Sequence, residues 1–211
     1  IPSAFLLHGY VGFIFGSVKA NPWWGNVLMP IIFIFSAMVS GIALMIFLYI
    51  VISKLRRVPT EISCLDAIGK FLFSVLVLDA SLEVLDWIHR LYEAEEFIDT
   101  LLPLVTGKLF YSFIIVQGAL GTALPLVLLG GAILFSRSLT ARIRSAVYFI
   151  SSILIIVGVF AMRCNVVIGG QLFSKSLRGF TTYKLELIGS EGVLMSVFLM
   201  ALPFVILWVL V

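Results

Sequence analysis

Long apolar runs separated by short polar connectors dominate the hydrophobic pattern of this chain. A helix needs about 20 apolar residues to cross the hydrocarbon core of a bilayer, and six runs approach or exceed that length. They are Pro2–Val18, Val27–Ser53, Cys64–Leu91, Leu109–Phe135, Arg144–Gly170 and Glu191–Val211. The pattern therefore predicts an all-α fold, a polytopic transmembrane helical bundle with about six visible spans.

The composition excludes an ordinary soluble domain. Hydrophobic residues make up 62% of the chain and charged residues only 12%, whereas soluble domains carry about 25% charged residues. The formal net charge of +3 comes from basic residues in short connectors, so it indicates topology and not nucleic-acid binding. Cys64 and Cys164 lie near opposite ends of their spans, which predicts neither a disulfide nor a metal site.

The distribution of charge between connectors predicts the orientation of the spans. Basic residues follow the second span and surround the connector between the fourth and fifth spans: Lys54, Arg56, Arg57, Arg137, Arg142 and Arg144. Acidic residues fill the third connector: Glu93, Glu95, Glu96 and Asp99. The positive-inside rule then places both visible termini in the cytoplasm. Trp23 and Trp24 fall on the outer side, where we expect them in an interfacial aromatic belt.

The first residues carry no leader features. The chain starts at Ile1 inside an apolar run, without a basic segment or a cleavage site. We expect it to be the C-terminal portion of a longer protein whose preceding helices are missing here.

The third span carries an unusual acidic face. Asp79, Glu83, Asp86 and Arg90 follow at spacings of four, three and four residues, which places them on one side of a helix. A rise of about 1.5 Å per residue puts Asp79 near the midplane, and it gives Glu83 the same depth as Arg163 of the fifth span. Charged side chains at such depths are costly and usually functional.

Two interpretations of these buried charges stay open. Arg163 can form a static ion pair with Glu83 or Asp86 that holds two helices together. Alternatively, these residues and Asn165 form a proton path or a network beside a quinone. No basic residue is evident at the depth of Asp79, and a carboxyl without a partner there can exchange protons, which favours the second interpretation.

Other polar groups add weaker hypotheses. Gln117 in the fourth span can hydrogen-bond to the buried charges or make an ordinary helix contact. Lys70 either reaches toward the interface or begins an inner half-channel with Asp66. His8 either bonds to a neighbouring helix or serves a quinone or proton role. A haem between two imidazoles is not expected, because His8 and His89 differ in depth by about 15 Å.

The connector after the fifth span is long and mixed in character. Gln171 opens it, and Lys175, Arg178 and Tyr183 follow among further aromatic residues. Such a mixture contacts lipid headgroups or docks a partner protein. Its length of about 20 residues, greater than that of the other connectors, favours a partner surface.

Two segments resemble a known family. Arg163 and the following NVVIGGQLFSKSLRGFTTYK (Asn165–Lys184) resemble the signature of the NrfD/PsrC family, the membrane subunits of polysulfide reductase and related complexes. The segment LLHGYVGFIFGSVKANPWWGNVLMPIIFIFSAMVSGIAL (Leu6–Leu44) is similar to the ten-helix members of that family. The amino-acid sequences of both segments are most similar to the DsrP branch of the family, whose members are subunits of sulfur-metabolism complexes.

The resemblance implies a function. It implies a menaquinone-binding membrane subunit of a prokaryotic respiratory complex, with no haem or iron–sulfur cluster in this chain. Such a subunit exchanges electrons with an outward-facing, periplasmic iron–sulfur protein, beside other membrane and cytochrome subunits. Among the residues present, His8 is the candidate for the quinone neighbourhood. The alternatives are a proton- or ion-translocating subunit and a purely anchoring subunit.

The resemblance also implies a division of the chain. Residues 1–53 would be the last two helices of an incomplete first bundle, and residues 54–211 a second four-helix bundle. Most of the quinone pocket would then lie in helices outside this chain.

Overall fold

Every regular element in the described part of the chain is a helix. The computed structural model describes residues 2–92, 98–173, 180–181 and 192–210. Its helices are α1 (Pro2–Gly16), α2 (Met29–Leu55), α3 (Ile62–Tyr92), α4 (Ile98–Pro103), α5 (Leu124–Leu134), α6 (Ala141–Gln171) and α7 (Val193–Leu210). Between α4 and α5 the chain forms two π-helical segments, π1 (Leu104–Lys108) and π2 (Phe110–Ala123). The predicted all-α class is confirmed.

Several helices are suited to a bilayer. Within the described residues, three segments are long and apolar enough to span a membrane. They are α2, the continuous segment formed by π2 and α5, and α6. Helix α1 is apolar, but its 15 residues are fewer than the roughly 20 needed to cross the hydrocarbon core. Helix α3 is as long as α6, with 31 residues, and carries the acidic face. The long helices fall on the six predicted runs with ends shifted by a few residues, whereas α4 and π1 occupy the predicted connector between Leu91 and Leu109.

Helix α6 lies at the centre of the bundle. It packs against α2, α3, α5 and π2. Its contacts form a buried core in which Val39, Leu72, Leu129, Tyr148 and Ile155 are almost completely inaccessible. These four elements cover one side of α6, while Phe160 on another side is 64% exposed. Polar residues on the covered side can therefore reach neighbouring helices.

Small residues bring α1 close to α2. A Cβ atom on Gly12 would lie 2.7 Å from the Cα of Pro30, and one on Gly16 would collide with the carbonyl of Asn26. The GxxxG pair therefore serves helix packing, as small residues commonly do in membrane helices. Pro30 lies in the first turn of α2, where the missing N–H group costs nothing. Pro125 lies where the continuous helical segment changes from π2 to α5.

An ion pair fastens the basic end of the bundle. Arg144 at the start of α6 pairs with Asp66 of α3, and the hydroxyl of Tyr148 donates to the same carboxylate at 2.9 Å. Lys70, one turn along α3, is exposed. The carboxylate of Asp66 thus holds α3 against α6, an arrangement that the sequence did not reveal.

Candidate functional site

The acidic face of α3 points into the bundle. Asp79 and Arg90 are buried, while Glu83 and Asp86 are half-buried. Val84, on another side of the same helix, is 58% exposed. The predicted common face is therefore confirmed, and the protein covers the polar side of α3 and leaves an apolar side free.

Glu83 accepts the last bond of a directed hydrogen-bond chain. The hydroxyl of Ser112 donates to Oδ1 of Asn165 at 2.5 Å, and Nδ2 of Asn165 donates to Oε1 of Gln117 at 2.9 Å. Nε2 of Gln117 donates to the carboxylate of Glu83, at 3.3 Å to Oε1 and 3.5 Å to Oε2. Because each amide donates through nitrogen and accepts through oxygen, the chain fixes the orientation of both amides. It connects π2, α6 and α3.

A close crossing of two backbones makes this chain possible. Gly121 of π2 faces Gly158 of α6, and a methyl group on either would collide with the main chain of the other. Gly121 lies about one turn from Gln117. The short amide side chains of Gln117 and Asn165 therefore reach each other because the two helices touch without side chains between them.

Arg163 binds α2 and not the acidic face of α3. Its guanidinium donates to the carbonyl of Phe33 at 3.2 Å and to the hydroxyl of Ser36 at 2.9 Å. The guanidinium carbon also lies 4.1 Å from the centre of the Phe33 ring. Of the two open interpretations, the static ion pair of Arg163 with Glu83 or Asp86 is not observed: among the described residues Arg163 forms no ion pair within 4.0 Å. The reason is that α6 presents this side chain toward α2.

Asp79 nevertheless has a cation within reach. Arg163 donates to the hydroxyl of Ser36, which lines the same small cavity as Asp79, although Arg163 and Asp79 form no direct bond. The expectation that no basic residue is available at the depth of Asp79 was therefore wrong. Sequence spacing did not predict the direction in which the side chain of Arg163 points.

An ion pair on this face forms between Asp86 and Arg90. Nε of Arg90 lies 3.2 Å from Oδ2 of Asp86, and their side chains are only 5% and 14% exposed. The guanidinium also donates to the carbonyl of Pro22 at 2.7 Å and to that of Trp23 at 3.5 Å. This buried pair therefore ties α3 to the connector between α1 and α2.

The two tryptophans of that connector insert into the bundle. Nε1 of Trp23 donates to the carbonyl of Asn165 at 3.1 Å, and Nε1 of Trp24 donates to that of Val166 at 2.6 Å. Trp23 is only 7% exposed. Their expected role in an interfacial belt was therefore wrong.

Two glycines near the end of α6 make room for the indoles. A Cβ atom on Gly169 would lie 2.6 Å from the ring of Trp23, and one on Gly170 would overlap the ring of Trp24. The side-chain amide of Asn21 also donates to the carbonyl of Gly170 at 2.9 Å. The paired tryptophans and the paired glycines were the available sequence signal for this contact.

Two water-sized cavities share Glu83 and Gln117 as lining residues. One, of about 60 Å³, also contacts Asp86 and Arg90, and the other, of about 10 Å³, also contacts Asp79. A cavity needs roughly 10–15 Å³ of space open to the centre of a water molecule in order to hold one. The larger cavity therefore has room for a few water molecules and the smaller one for about one.

Unpaired carboxylate oxygens face these cavities. Oδ1 of Asp79 and Oδ1 of Asp86 are buried and have no hydrogen-bond partner within the described chain. An unsatisfied buried polar group costs about 1–3 kcal/mol, so a water molecule in the adjoining cavity would stabilise each. With such water molecules, Asp79, Glu83 and Asp86 would form a connected row of carboxyl groups, and carboxyl groups inside membrane proteins are used in proton relays.

His8 lies apart from this row. The carbonyl of Ala4, in the same helix, accepts a hydrogen bond of 2.9 Å from Nδ1 of His8. Of the two alternatives for His8, the hydrogen bond to a neighbouring helix is not observed among the described residues. His8 is half-buried beside a groove of about 160 Å³ that includes Ile34 and Met38 of α2. This groove shares no lining residue with the cavities at Glu83.

The structure describes only part of the expected docking connector. Gln171 is exposed at the end of α6, and its main-chain carbonyl accepts a bond of 3.1 Å from the hydroxyl of Thr181. Lys108 donates to the carbonyl of Thr181 at 2.9 Å. Lys175, Arg178 and Tyr183 lie outside the described residues.

Fold and site together define a helical membrane protein with a buried carboxyl–amide network. A family model described as polysulphide reductase, NrfD, matches residues 1–175. The chain belongs to this family, as the resemblance in the sequence indicated.

One curated relative supports the assignment. A selenate reductase subunit of Mesobacillus selenatarsenatis is 38% identical over 92 residues, which make up 44% of this chain and 21% of the relative. The match thus spans about a fifth of the relative's length. No solved structure matches the chain.

Proposed function

We propose that the chain is part of the membrane subunit of a reductase complex and that it transfers protons while electrons pass between menaquinone and an outward-facing iron–sulfur protein. The observation that carries the proposal is the row of buried carboxyl groups Asp79, Glu83 and Asp86 beside water-sized cavities. Membership in the NrfD family and the name of the relative, a reductase subunit, support the same class.

The chemistry of a quinone explains why such a row is needed. Menaquinone carries two electrons together with two protons. Protons cannot cross the apolar interior of a bundle without groups that bind and release them, and carboxyl groups are suited to this work. Gln117 would hold the carboxyl of Glu83 in place, while the cavity waters connect it to Asp79 and Asp86.

Among the residues of this chain, His8 is the better candidate for contact with the quinone. If Nδ1 donates its proton to the carbonyl of Ala4, the neutral imidazole leaves Nε2 as an acceptor. An acceptor at this position suits the hydroxyl group of a quinol, whose proton it can receive. The groove beside His8 is smaller than the roughly 300–1,000 Å³ of closed ligand sites, so it would supply only one wall of a pocket that other helices complete.

The assignment to a complex of sulfur metabolism rests on the two segments that resemble the DsrP branch. We place the complex in the sulfur metabolism and anaerobic respiration of a prokaryote, in the cytoplasmic membrane with both visible termini inside. Other membrane and cytochrome subunits would accompany it. The distribution of basic and acidic connectors supports the orientation. The division at residues 53 and 54 stays a prediction.

Substitution of the carboxyl groups tests the proton role. In the purified complex, Asp79→Asn and Glu83→Gln should each lower menaquinol-dependent turnover at least tenfold while every subunit remains in the assembly. Asp99→Asn, which changes an exposed carboxyl of α4, is the matched control and should retain full turnover. Full turnover in both buried variants would contradict the proposal and would leave the chain as an anchor.

A second candidate function is proton translocation. The same buried row favours it, because a path that delivers protons to a quinone can also carry them across the membrane. Proteoliposomes containing a pH-sensitive dye distinguish the two functions. Net pumping requires more protons moved per electron than quinone chemistry consumes, and a ratio equal to the chemical stoichiometry excludes it.

The partner is tested separately. If an iron–sulfur protein docks at the outer end of α6, a photo-crosslinker at Gln171 should capture it in the assembled complex. The same crosslinker at Arg137, on the connector at the other end of the bundle, is the control. Capture from Arg137 but not from Gln171 would contradict the proposed orientation.

A further inference from the structure

A larger cavity lies at the end of the bundle away from the tryptophan connector. It occupies the space between the end of α2, the start of α3 and the start of α6, and its volume is about 590 Å³. This is within the range of roughly 300–1,000 Å³ that is typical of sites for small ligands. None of its lining residues belongs to the cavities around Glu83.

Two uncompensated cations line this cavity. Lys54 lies in the last turn of α2 and Arg142 in the first turn of α6. Neither side chain forms a hydrogen bond or an ion pair within the described part of the protein. Arg144, by contrast, is paired with Asp66. The positive charge of Lys54 and Arg142 is therefore available to a ligand.

Hydroxyl groups add to the polar side of the cavity. Thr60 and Ser145 line it, and neither side chain has a partner among the described residues. Each hydroxyl can donate one hydrogen bond to an anionic oxygen. Ala141, the first residue of α6, also lines the cavity, so the positive end of the helix dipole adds to the attraction for an anion.

The remaining wall is apolar. Ile50 and Val51 of α2, Ile62 of α3 and Phe149 of α6 line it. Because α2 and α6 are long enough to span a membrane, their ends lie at the level of lipid headgroups. One cavity therefore combines cations and hydroxyls with an aliphatic and aromatic surface at the depth where headgroups meet acyl chains.

We propose that this cavity binds the phosphate headgroup of an anionic glycerophospholipid. Lys54 and Arg142 hold the phosphate, Thr60 and Ser145 donate hydrogen bonds to it, and the acyl chains lie along Ile50 and Phe149. Basic pockets between helices at the cytoplasmic side of membrane proteins bind such headgroups. The apolar wall selects a lipid over free phosphate, because inorganic phosphate would leave that surface uncovered.

Native mass spectrometry of the complete complex tests this site. The complex is exchanged into detergent containing phosphatidylglycerol or phosphatidylcholine, and retained lipid is counted. The wild-type complex should retain phosphatidylglycerol and should hold phosphatidylcholine at least tenfold more weakly. Each removed cation should weaken retention about fivefold, so Lys54→Gln combined with Arg142→Gln should weaken it about 25-fold.

Two controls separate charge recognition from other causes. Arg137→Gln removes an exposed charge that does not line the cavity and should leave retention unchanged. The exchange Lys54→Arg with Arg142→Lys keeps both charges and should retain the lipid, which excludes misfolding as the cause of a loss. Equal retention of phosphatidylcholine, or displacement of the lipid by millimolar inorganic phosphate, would overturn the proposal.

Discussion

Nδ2 of Asn165 lies 2.9 Å from Oε1 of Gln117, and this hydrogen bond connects the central helix α6 to the π-helical segment π2. It orients Gln117 so that the nitrogen of its side chain faces Glu83. The side-chain amide of Gln117 therefore connects Asn165, which lies in the segment that resembles the family signature, with Glu83 on the acidic face of α3. The carboxyl of Glu83 depends on Asn165, although the two residues do not touch.

Gln117→Leu should destabilise the protein strongly. The leucine would leave Nδ2 of Asn165 and the carboxylate of Glu83 each without a hydrogen-bond partner, at a cost of about 1–3 kcal/mol for each group. Thermal unfolding of the purified complex measures the effect. Ser138→Leu changes an exposed polar residue in the connector between α5 and α6 and should leave the midpoint unchanged. Equal midpoints for both variants would contradict the role of Gln117 in the network.

Gly169→Ala should disturb the tryptophan connector. The added methyl group would lie 2.6 Å from the ring of Trp23, and overpacking of this kind costs about 1–3 kcal/mol. Gly131→Ala is the matched control, because nothing lies within 4 Å of a methyl group there. In a helix this control should be neutral or stabilising by up to about 1 kcal/mol. Red-shifted tryptophan fluorescence in Gly169→Ala alone would show that the indole has become exposed to water.

Arg90→Gln should be more damaging than a typical surface change. It removes the cation from the buried carboxylate of Asp86, and loss of one partner of a buried pair costs about 3–5 kcal/mol. The exposed Arg137→Gln should cost no more than about 0.5 kcal/mol. Denaturant unfolding of both variants compares them, and a cost for Arg90→Gln as small as for Arg137→Gln would show that the pair contributes little.

Arg163 and Asp79 should be energetically coupled. Ser36 accepts a hydrogen bond from Arg163 and lines the small cavity at Asp79, so the pair can be tested by a double-mutant cycle with Arg163→Met and Asp79→Asn. Interacting buried residues show coupling energies of about 0.5–3 kcal/mol. A cycle between Arg163→Met and Asp99→Asn should give no coupling. A value of zero for the first cycle would contradict the electrostatic link.

The helices and the acidic face followed from the sequence for simple physical reasons. Length and apolar composition predict spanning helices, and a helical period of 3.6 residues places Asp79, Glu83 and Asp86 on one side. These features depend only on local geometry.

The partners of buried side chains could not be predicted in the same way. The direction of Arg163 depends on which helix packs beside α6, and the position of Trp23 depends on the space that Gly169 leaves. Such contacts come from the tertiary arrangement and not from periodicity. A preference of tryptophan for interfaces is an average tendency, and here two indole N–H groups found buried carbonyls on α6 instead.

Infrared difference spectroscopy of the complex tests the proton role of the buried row most directly. Spectra are recorded with menaquinone reduced and then oxidised, and the carbonyl stretch of protonated carboxyl groups is compared between wild type, Glu83→Gln and Asp79→Asn. A proton path through this row predicts a carboxyl band that changes with the redox state in the wild type and is lost in at least one of the two variants. A redox-dependent carboxyl band that is identical in all three proteins would contradict it.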